Sequence, residues 1–113
     1  MSDLDPIDPR TALELYLEDK KGTLSRSSIK SHRYRISTFV DWLDDRGISN
    51  MNDLTGRLVK EYQIDGRKAS DWAPSTEKSM LDTTRVFVRW CESIEAVDGG
   101  LSERVQSPTL TGD

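Results

Sequence analysis

The sequence has little of what metal sites and many enzyme active sites are built from. Its 113 residues include a single cysteine, Cys91, and a single histidine, His32. One cysteine excludes an internal disulfide, and one Cys with one His falls short of the four N or S ligands of a structural zinc site. The sequence also lacks a glycine-rich phosphate loop and a nucleophile elbow. We therefore expect no metal, no cofactor and no enzyme active site in this chain.

Long apolar segments are missing as well. No apolar run approaches the roughly 20 residues that a membrane-spanning helix requires. The N-terminus, Met1 to Asp5, is acidic and has neither the basic nor the apolar region of a secretory signal. We therefore expect a cytoplasmic protein without membrane contact, and the length fits a single domain.

Acidic residues are absent from one segment of an otherwise acidic chain. The formal net charge is −4, yet all 20 Asp and Glu residues lie outside residues 20–40. This basic segment contains Lys20, Lys21, Arg26, Lys30, Arg33 and Arg35. Such segregation is typical of a surface that meets an anionic partner, and equally of a solvated helix face that binds nothing. The net charge counts against a nucleic-acid binder, because those domains are usually basic, although a protein from a saline cytoplasm is also acid-rich.

Apolar periodicity predicts two helices in the first half of the chain. The first begins with Asp8 as N-cap and Pro9 as the first helical residue, and Gly22 ends it. Its buried side chains are predicted to be Ala12, Leu13, Leu15 and Tyr16. The second spans residues 26–46, between the N-cap Ser25 and the terminating Gly47. Its buried side chains are predicted to be Ile29, Ile36, Phe39, Val40 and Leu43.

The helical repeat of 100° per residue sorts the polar side chains of this second helix. One flank of the apolar stripe carries Arg26, Lys30, Arg33 and Ser37. Ser27, Ser31 and Tyr34 lie further round and face away from the core. The far end of the helix carries Asp41, Asp44 and Asp45, which we interpret as solubilising charge.

The second half predicts two more helices. The third follows Asn52 and Asp53 and ends before the breaker-rich residues 65–68. Its inner face is predicted to comprise Leu54, Leu58, Val59 and Tyr62. The fourth begins near Pro74, with Ser75 as the better N-cap and Glu77 in the first turn, and continues to Ile94. No segment shows the alternation typical of a strand. The fold class is therefore all-α, a compact bundle of four helices, with a flexible lead-in over 1–8, a domain over 9–97 and a linker over 98–113.

The remaining distinctive side chains have structural interpretations. We expect His32 at a helix flank between core and surface, and Cys91 as a buried thiol. Trp42 and Trp90 are expected at the edge of the core. Trp72 lies in a predicted loop, where packing and stacking on a nucleic-acid base both remain open.

Two stretches together resemble one protein family. Residues 24–48 resemble the first long helix of the N-terminal core-binding, SAM-like domain of tyrosine recombinases (phage integrases). The matching residues are Ser25, Ser28, Ile36, Phe39, Trp42 and Leu43, whereas His32 stands where the family usually has Tyr. Residues 75–91 resemble the last helix of that domain, through Leu81, Arg85, Phe87 and Trp90. The resemblance covers about residues 8–97.

The resemblance implies a DNA-binding domain rather than an enzyme. In this family the core-binding domain forms half of a clamp around duplex DNA, and a C-terminal catalytic domain supplies the Arg, Lys, His and Tyr of strand cleavage. Tyr16, Tyr34 and Tyr62 all lie in the helical module, so none is assigned as the nucleophile. The expected partners are double-stranded DNA and a catalytic domain of the same protein, and the isolated domain is expected to be a monomer.

The resemblance also assigns a binding face. The N-terminal halves of the second and fourth helices approach the major groove, and the basic flank contacts phosphates or base edges. The predicted DNA contacts are Arg26, Ser27, Lys30, Ser31, Arg33, Tyr34, Ser75, Thr76, Lys78 and Ser79. The alternative is a helical protein-interaction module whose basic face binds an acidic partner. A helix-turn-helix regulator is less favoured, because no short recognition helix with a tight turn is evident.

Overall fold

A computed structural model describes residues 3–108. Four α-helices make up most of it: α1 (Pro9–Lys20), α2 (Arg26–Asp45), α3 (Gly56–Lys68) and α4 (Pro74–Ser93). Two short 3₁₀ helices, Met51–Asp53 and Leu101–Arg104, complete the secondary structure. Residues 3–108 contain no strand, so the all-α prediction is confirmed. None of these helices is long and apolar enough to cross a membrane.

The first two helices begin where their capping residues predict. The Asp8 carboxylate accepts a hydrogen bond from the Thr11 amide at 3.0 Å, and hydrogen bonding from the Thr11 side chain and amide lowers the pKa of Asp8. The Ser25 hydroxyl accepts from the Ser28 amide at 3.1 Å. Gly47 follows α2 with a φ of +76°, a left-handed conformation that favours glycine. Local capping therefore defines both boundaries of α2 to within one residue.

The third helix differs from the prediction at both ends. Thr55 is its N-cap, accepting from the Leu58 amide at 3.2 Å, so Leu54 precedes the helix. The helix then continues through residues 65–68, which the sequence marked as a break. Gly66 is buried there against the Trp72 ring. This glycine therefore leaves space for the indole ring and does not form a turn.

The fourth helix begins two residues earlier than an N-cap at Ser75 requires. Ala73 is the N-cap and Pro74 is the first helical residue, so the prediction of Ser75 as N-cap is wrong. Proline fits this position because its missing N–H has no partner within the helix anyway. The helix ends at Ser93, and Ile94 is the residue that follows it.

One continuous core is formed by all four helices. Its large, fully buried side chains include Tyr16, Phe39, Tyr62 and Phe87. Leu15 is 48% exposed, contrary to the prediction, and Leu17 is buried instead. Position 15 lies about 200° around α1 from Leu13, so it faces solvent when Leu13 faces the core.

Both ends of the predicted domain extend further than expected. The Asp5 amide donates to the Glu95 carbonyl at 2.7 Å, and the Ile7 carbonyl accepts from the Met51 amide at 2.8 Å. Leu101 and Val105 are buried, which corrects the assignment of residues 101–105 to a linker. Leu101 on the 3₁₀ helix and Val105 just after it form no helical periodicity, so the sequence pattern missed them. Residues 109–113 lie outside the described residues.

Candidate nucleic-acid interface

The N-terminal halves of α2 and α4 enclose a surface groove of about 480 Å³. Its walls are formed by Lys30, Ser31, Tyr34, Arg35, Ser75, Thr76, Ser79 and Met80. Six of these eight residues belong to the predicted contact set, three from each helix. The structure therefore brings together side chains that are more than 40 positions apart in sequence. We call this feature the α2–α4 groove.

The groove is positively charged and rich in hydrogen-bond donors. Lys30 and Arg35 form none of the ion pairs found among residues 3–108. The Arg35 guanidinium donates to the Thr83 hydroxyl at 3.2 Å, which holds it between the helices. Tyr34 is 70% exposed on the same wall. No carboxylate lines the groove, so an anion would meet no repulsive group there.

The start of α4 adds backbone donors to the groove. No side chain caps this helix, although Ser75 and Thr76 in its first turn line the groove. First-turn amides have no partner within a helix, and the helix dipole makes that end partially positive. Such an end favours phosphate.

A buried carboxylate anchors this end of α4 to α3. Glu77 is 5% exposed and accepts a hydrogen bond from the Gln63 amide nitrogen at 2.6 Å. It also pairs with Arg67 at 3.3 Å. These contacts fix the first turn of α4, and with it Ser75 and Thr76.

Arg26 and Ser27 lie beside the groove rather than in it. Arg26 lines a second depression of about 440 Å³ at the corner between α1 and α2, with Lys21, Leu24 and Ile29. The Ser27 hydroxyl is 3.2 Å from that of Ser25. The first turn of α2 therefore extends the basic surface beyond the α2–α4 groove.

Two of the predicted contacts are engaged elsewhere. Arg33 makes a two-pronged ion pair with Glu14 of α1, at 2.7 and 3.1 Å. This hydrogen bonding lowers the pKa of Glu14 and raises that of Arg33. Lys78 pairs with Asp82 at 2.7 Å. Neither residue lines the groove. Helical spacing places a residue on a flank of its helix, but it does not reveal which acidic side chain lies opposite.

Sequence reasoning omitted one basic residue of the groove, Arg35. Its charge was counted in the basic segment, but the flank of Arg26 and Lys30 was preferred. Arg35 follows Ser31 by four residues, so both lie on the same face of α2. Since Ser31 was already placed in the contact set, that spacing was a signal for Arg35 too.

The other distinctive side chains have structural roles. The Tyr16 hydroxyl lies 2.9 Å from Nδ1 of half-buried His32, as expected for a flank position. Cys91 is fully buried, as predicted, and burial raises its pKa to about 12. Trp72 packs edge-on against Tyr62, with ring centroids 5.3 Å apart, which favours packing over base stacking.

The two remaining tryptophans and the acidic cluster lie away from the groove. Trp42 and Trp90 are partly buried at the core edge, as predicted. Their indole nitrogens donate to Asp65 and Asp19, each at 2.9 Å. Arg10 of α1 pairs with Asp41 at 2.7 Å and with Asp44 at 3.1 Å. This acidic end of α2 is separated from Lys30 by about three to four helical turns.

The same fold occurs in a known protein. The crystal structure of the N-terminal domain of a phage integrase/site-specific recombinase from Haloarcula marismortui superposes with a TM-score of 0.86 and 35% sequence identity. The match covers 92% of this chain and 99% of the other. This chain belongs to the phage integrase family, as an N-terminal domain. No family profile and no curated protein sequence matches this integrase domain. The resemblance drawn from residues 24–48 and 75–91 is thereby confirmed.

Proposed function

We propose that this integrase domain binds duplex DNA through the α2–α4 groove, as the non-cleaving half of a recombinase clamp. One observation carries the proposal. Lys30, Arg35 and the start of α4 converge on a groove without carboxylates, in a protein whose net charge is −4. Concentrating positive charge on one face of an acidic protein fits an anionic partner.

The hydrogen-bond donors of the groove are of the kinds that bind the phosphates of the DNA backbone. Phosphate oxygens accept hydrogen bonds from Lys and Arg, from Ser and Thr hydroxyls and from helix N-termini. The groove offers all three kinds of donor, the hydroxyls coming from Ser31, Ser75, Thr76 and Ser79. Contacts of this kind set the register of a protein on DNA without conveying sequence.

Tyr34, on the wall of the groove, and Arg26, beside the groove, extend the proposed contact with DNA. Tyr34 projects from the wall of the groove, where its ring can pack against sugars or the edges of bases. Arg26, one helical turn before Lys30, would neutralise a further phosphate along the same strand. A duplex lying over the N-terminal half of α2 would thus meet Arg26, Lys30 and Arg35 and leave Asp41 and Asp44 remote.

Strand cleavage is assigned to a different domain. Tyr16 and Tyr62 are at most 2% exposed, so neither can reach a phosphate. Tyr34 is exposed, but no histidine or carboxylate lines the groove to take its proton. By the family resemblance, the nucleophile and its Arg, Lys and His partners belong to the catalytic domain. The proposed role of this domain is to hold the DNA.

Duplex affinity as a function of salt tests the proposal. Neutralising three or four phosphates predicts that log K falls with log salt with a slope of roughly −3 to −4. Lys30→Ala and Arg26→Ala should each weaken binding and make the slope shallower by roughly 0.9. Circular dichroism should show both variants folded. Arg89→Ala is the matched control, since Arg89 is an exposed α4 cation that lines another depression with Val86.

The outcome separates DNA binding from the alternative of an acidic protein partner. Absence of duplex binding at low salt would contradict the proposal and favour the protein-interaction module. Equal losses in Lys30→Ala and Arg89→Ala would show general charge attraction, without a defined groove.

A further inference from the structure

Asp82 of α4 is the acceptor for three other side chains. Its Oδ2 pairs with Nζ of Lys78 at 2.7 Å, one turn toward the helix start. Its Oδ1 accepts from the Ser107 hydroxyl at 2.6 Å and from Arg85 at 3.3 Å. Desolvation raises the pKa of Asp82, but the hydrogen bonds from Lys78 and Ser107 outweigh it and keep that pKa below its ordinary value. One carboxylate thus connects Lys78, at the edge of the α2–α4 groove, to the C-terminal segment.

The C-terminal segment, residues 100–107, runs along α4 toward that carboxylate. It is attached first at Glu92, whose carboxylate accepts from the amides of Gly100 at 3.0 Å and Ser102 at 2.7 Å. Val105 is then buried, and Ser107 reaches Asp82. Since Asp82 precedes Glu92 by ten residues, the segment runs antiparallel to α4 over about 15 Å, toward the N-terminal end of α4.

Lys78 is positioned to exchange Asp82 for another anion. It precedes Ser79, which lines the α2–α4 groove, and its side chain is 42% exposed. The pair places the lysine before the acid along the helix, which is the less favourable order for an i, i+4 ion pair. Lysine side chains in helices also tend to point toward the N-terminus, which here is the groove end. A phosphate in the groove would therefore compete with the Asp82 carboxylate for Lys78, and neutralising that carboxylate would complete the transfer.

We propose that Asp82 is a positioning residue with two roles: it withholds Lys78 from DNA in the free domain, and through Ser107 it holds the C-terminal segment against α4. The inference rests on the proposed function. When a phosphate binds Lys78, Asp82 keeps Arg85 and Ser107, so the segment stays docked while the lysine moves. DNA binding and the path of the chain after α4 would then depend on the same carboxylate.

The slope of affinity against salt measures the release of Lys78. Asp82→Asn leaves an oxygen to accept from Ser107 but no charge to hold Lys78. We expect this variant to bind duplex DNA severalfold more tightly, with a slope steeper by roughly 0.9, as one added phosphate contact requires. Asp45→Asn is the matched control, because it removes an exposed carboxylate that forms no ion pair among residues 3–108, at the far end of α2. Its slope should stay unchanged.

Double variants identify which cation, Lys78 or Arg85, is responsible for the tighter DNA binding of Asp82→Asn. The gain from Asp82→Asn should disappear in a Lys78→Ala background and persist in an Arg85→Ala background. Persistence without Lys78 would overturn the inference, because the carboxylate would then act by general repulsion. Binding by the wild-type domain with an unchanged slope in Asp82→Asn would overturn the inference alone, whereas no binding by the wild type would overturn the proposed function with it.

Hydrogen exchange tests whether Asp82 holds the C-terminal segment. In Asp82→Ala the amides of residues 101–107 should exchange faster than in the wild type, because Ser107 loses its acceptor. In Asp82→Asn they should exchange at the wild-type rate. Equal exchange in both variants would show that Asp82 does not hold the segment.

Discussion

Gly66 offers a sharp test of how α3 and Trp72 pack together. An ideal Cβ at this position would lie 2.7 Å from Cδ2 of Trp72 and closer still to Cε3 and Cζ3. The backbone of Gly66 is helical, so alanine fits the conformation but not the space. In Gly66→Ala the indole must therefore move.

Two opposing contributions determine the stability of Gly66→Ala. Alanine in place of glycine in a helix contributes about 1 kcal/mol. Removing a fully buried Trp costs about 3–5 kcal/mol, so displacing the half-buried Trp72 should cost about 2 kcal/mol. We expect a net loss of about 1 kcal/mol, equivalent to a decrease in Tm of about 4 °C.

Urea denaturation followed by circular dichroism measures this difference. Gly56→Ala is the matched control, because its Cβ would meet only the flexible side chain of Arg104, at 3.3 Å. Its unfolding free energy should stay within about 0.5 kcal/mol of the wild type. In a Trp72→Ala background, Gly66→Ala should become stabilising, since the obstacle is gone. Stabilisation of the otherwise wild-type protein by Gly66→Ala would refute the packing of Trp72 over α3.

Three further perturbations test the core and its edge. Phe39→Ala should cost about 3–5 kcal/mol of unfolding free energy in urea, because this ring is fully buried; a loss below about 1 kcal/mol would contradict its place in the core. Tyr62→Phe should be neutral or stabilising by up to about 1 kcal/mol in the same assay, since its buried hydroxyl has no hydrogen-bond partner among residues 3–108. A clear loss would reveal a partner for that hydroxyl. Burial, followed by the charges of Arg35 and Lys20, lowers the pKa of His32 below 6.5 in the folded protein. As pH falls, His32 is therefore protonated in the unfolded chain before it is protonated in the folded one. Unfolding free energy should be greatest above pH 6.5 and decrease as pH falls through the folded pKa, and this decrease should vanish in His32→Gln.

Prediction from sequence succeeded where local signals define the structure. The Ser25 cap, the apolar spacing of Ile36, Val40 and Leu43, and Gly47 are all contained in α2 itself. These features placed α2 within one residue of its observed end. The same periodicity placed Lys30 on a basic flank and Ser31 and Tyr34 facing away from the core, and the family resemblance then joined all three in one binding face.

The errors share a tertiary cause. Gly66 was interpreted as a helix breaker because nothing in the sequence shows that the ring of Trp72 lies against it. The ion pair of Arg33 was not foreseen, because its partner, Glu14, is 19 residues away on another helix. Leu101 and Val105 were placed in a linker because burial against α4, rather than any repeating pattern, defines that segment.

Backbone amide chemical shifts, measured during titration with a short duplex, would show where DNA lies on the domain. The largest changes should cluster at residues 26–35 and 75–79, which border the α2–α4 groove. The acidic end of α2, at Asp41 to Asp45, should remain unperturbed. Changes concentrated at that acidic end or along α3, with residues 30–35 unaffected, would contradict DNA binding in the α2–α4 groove.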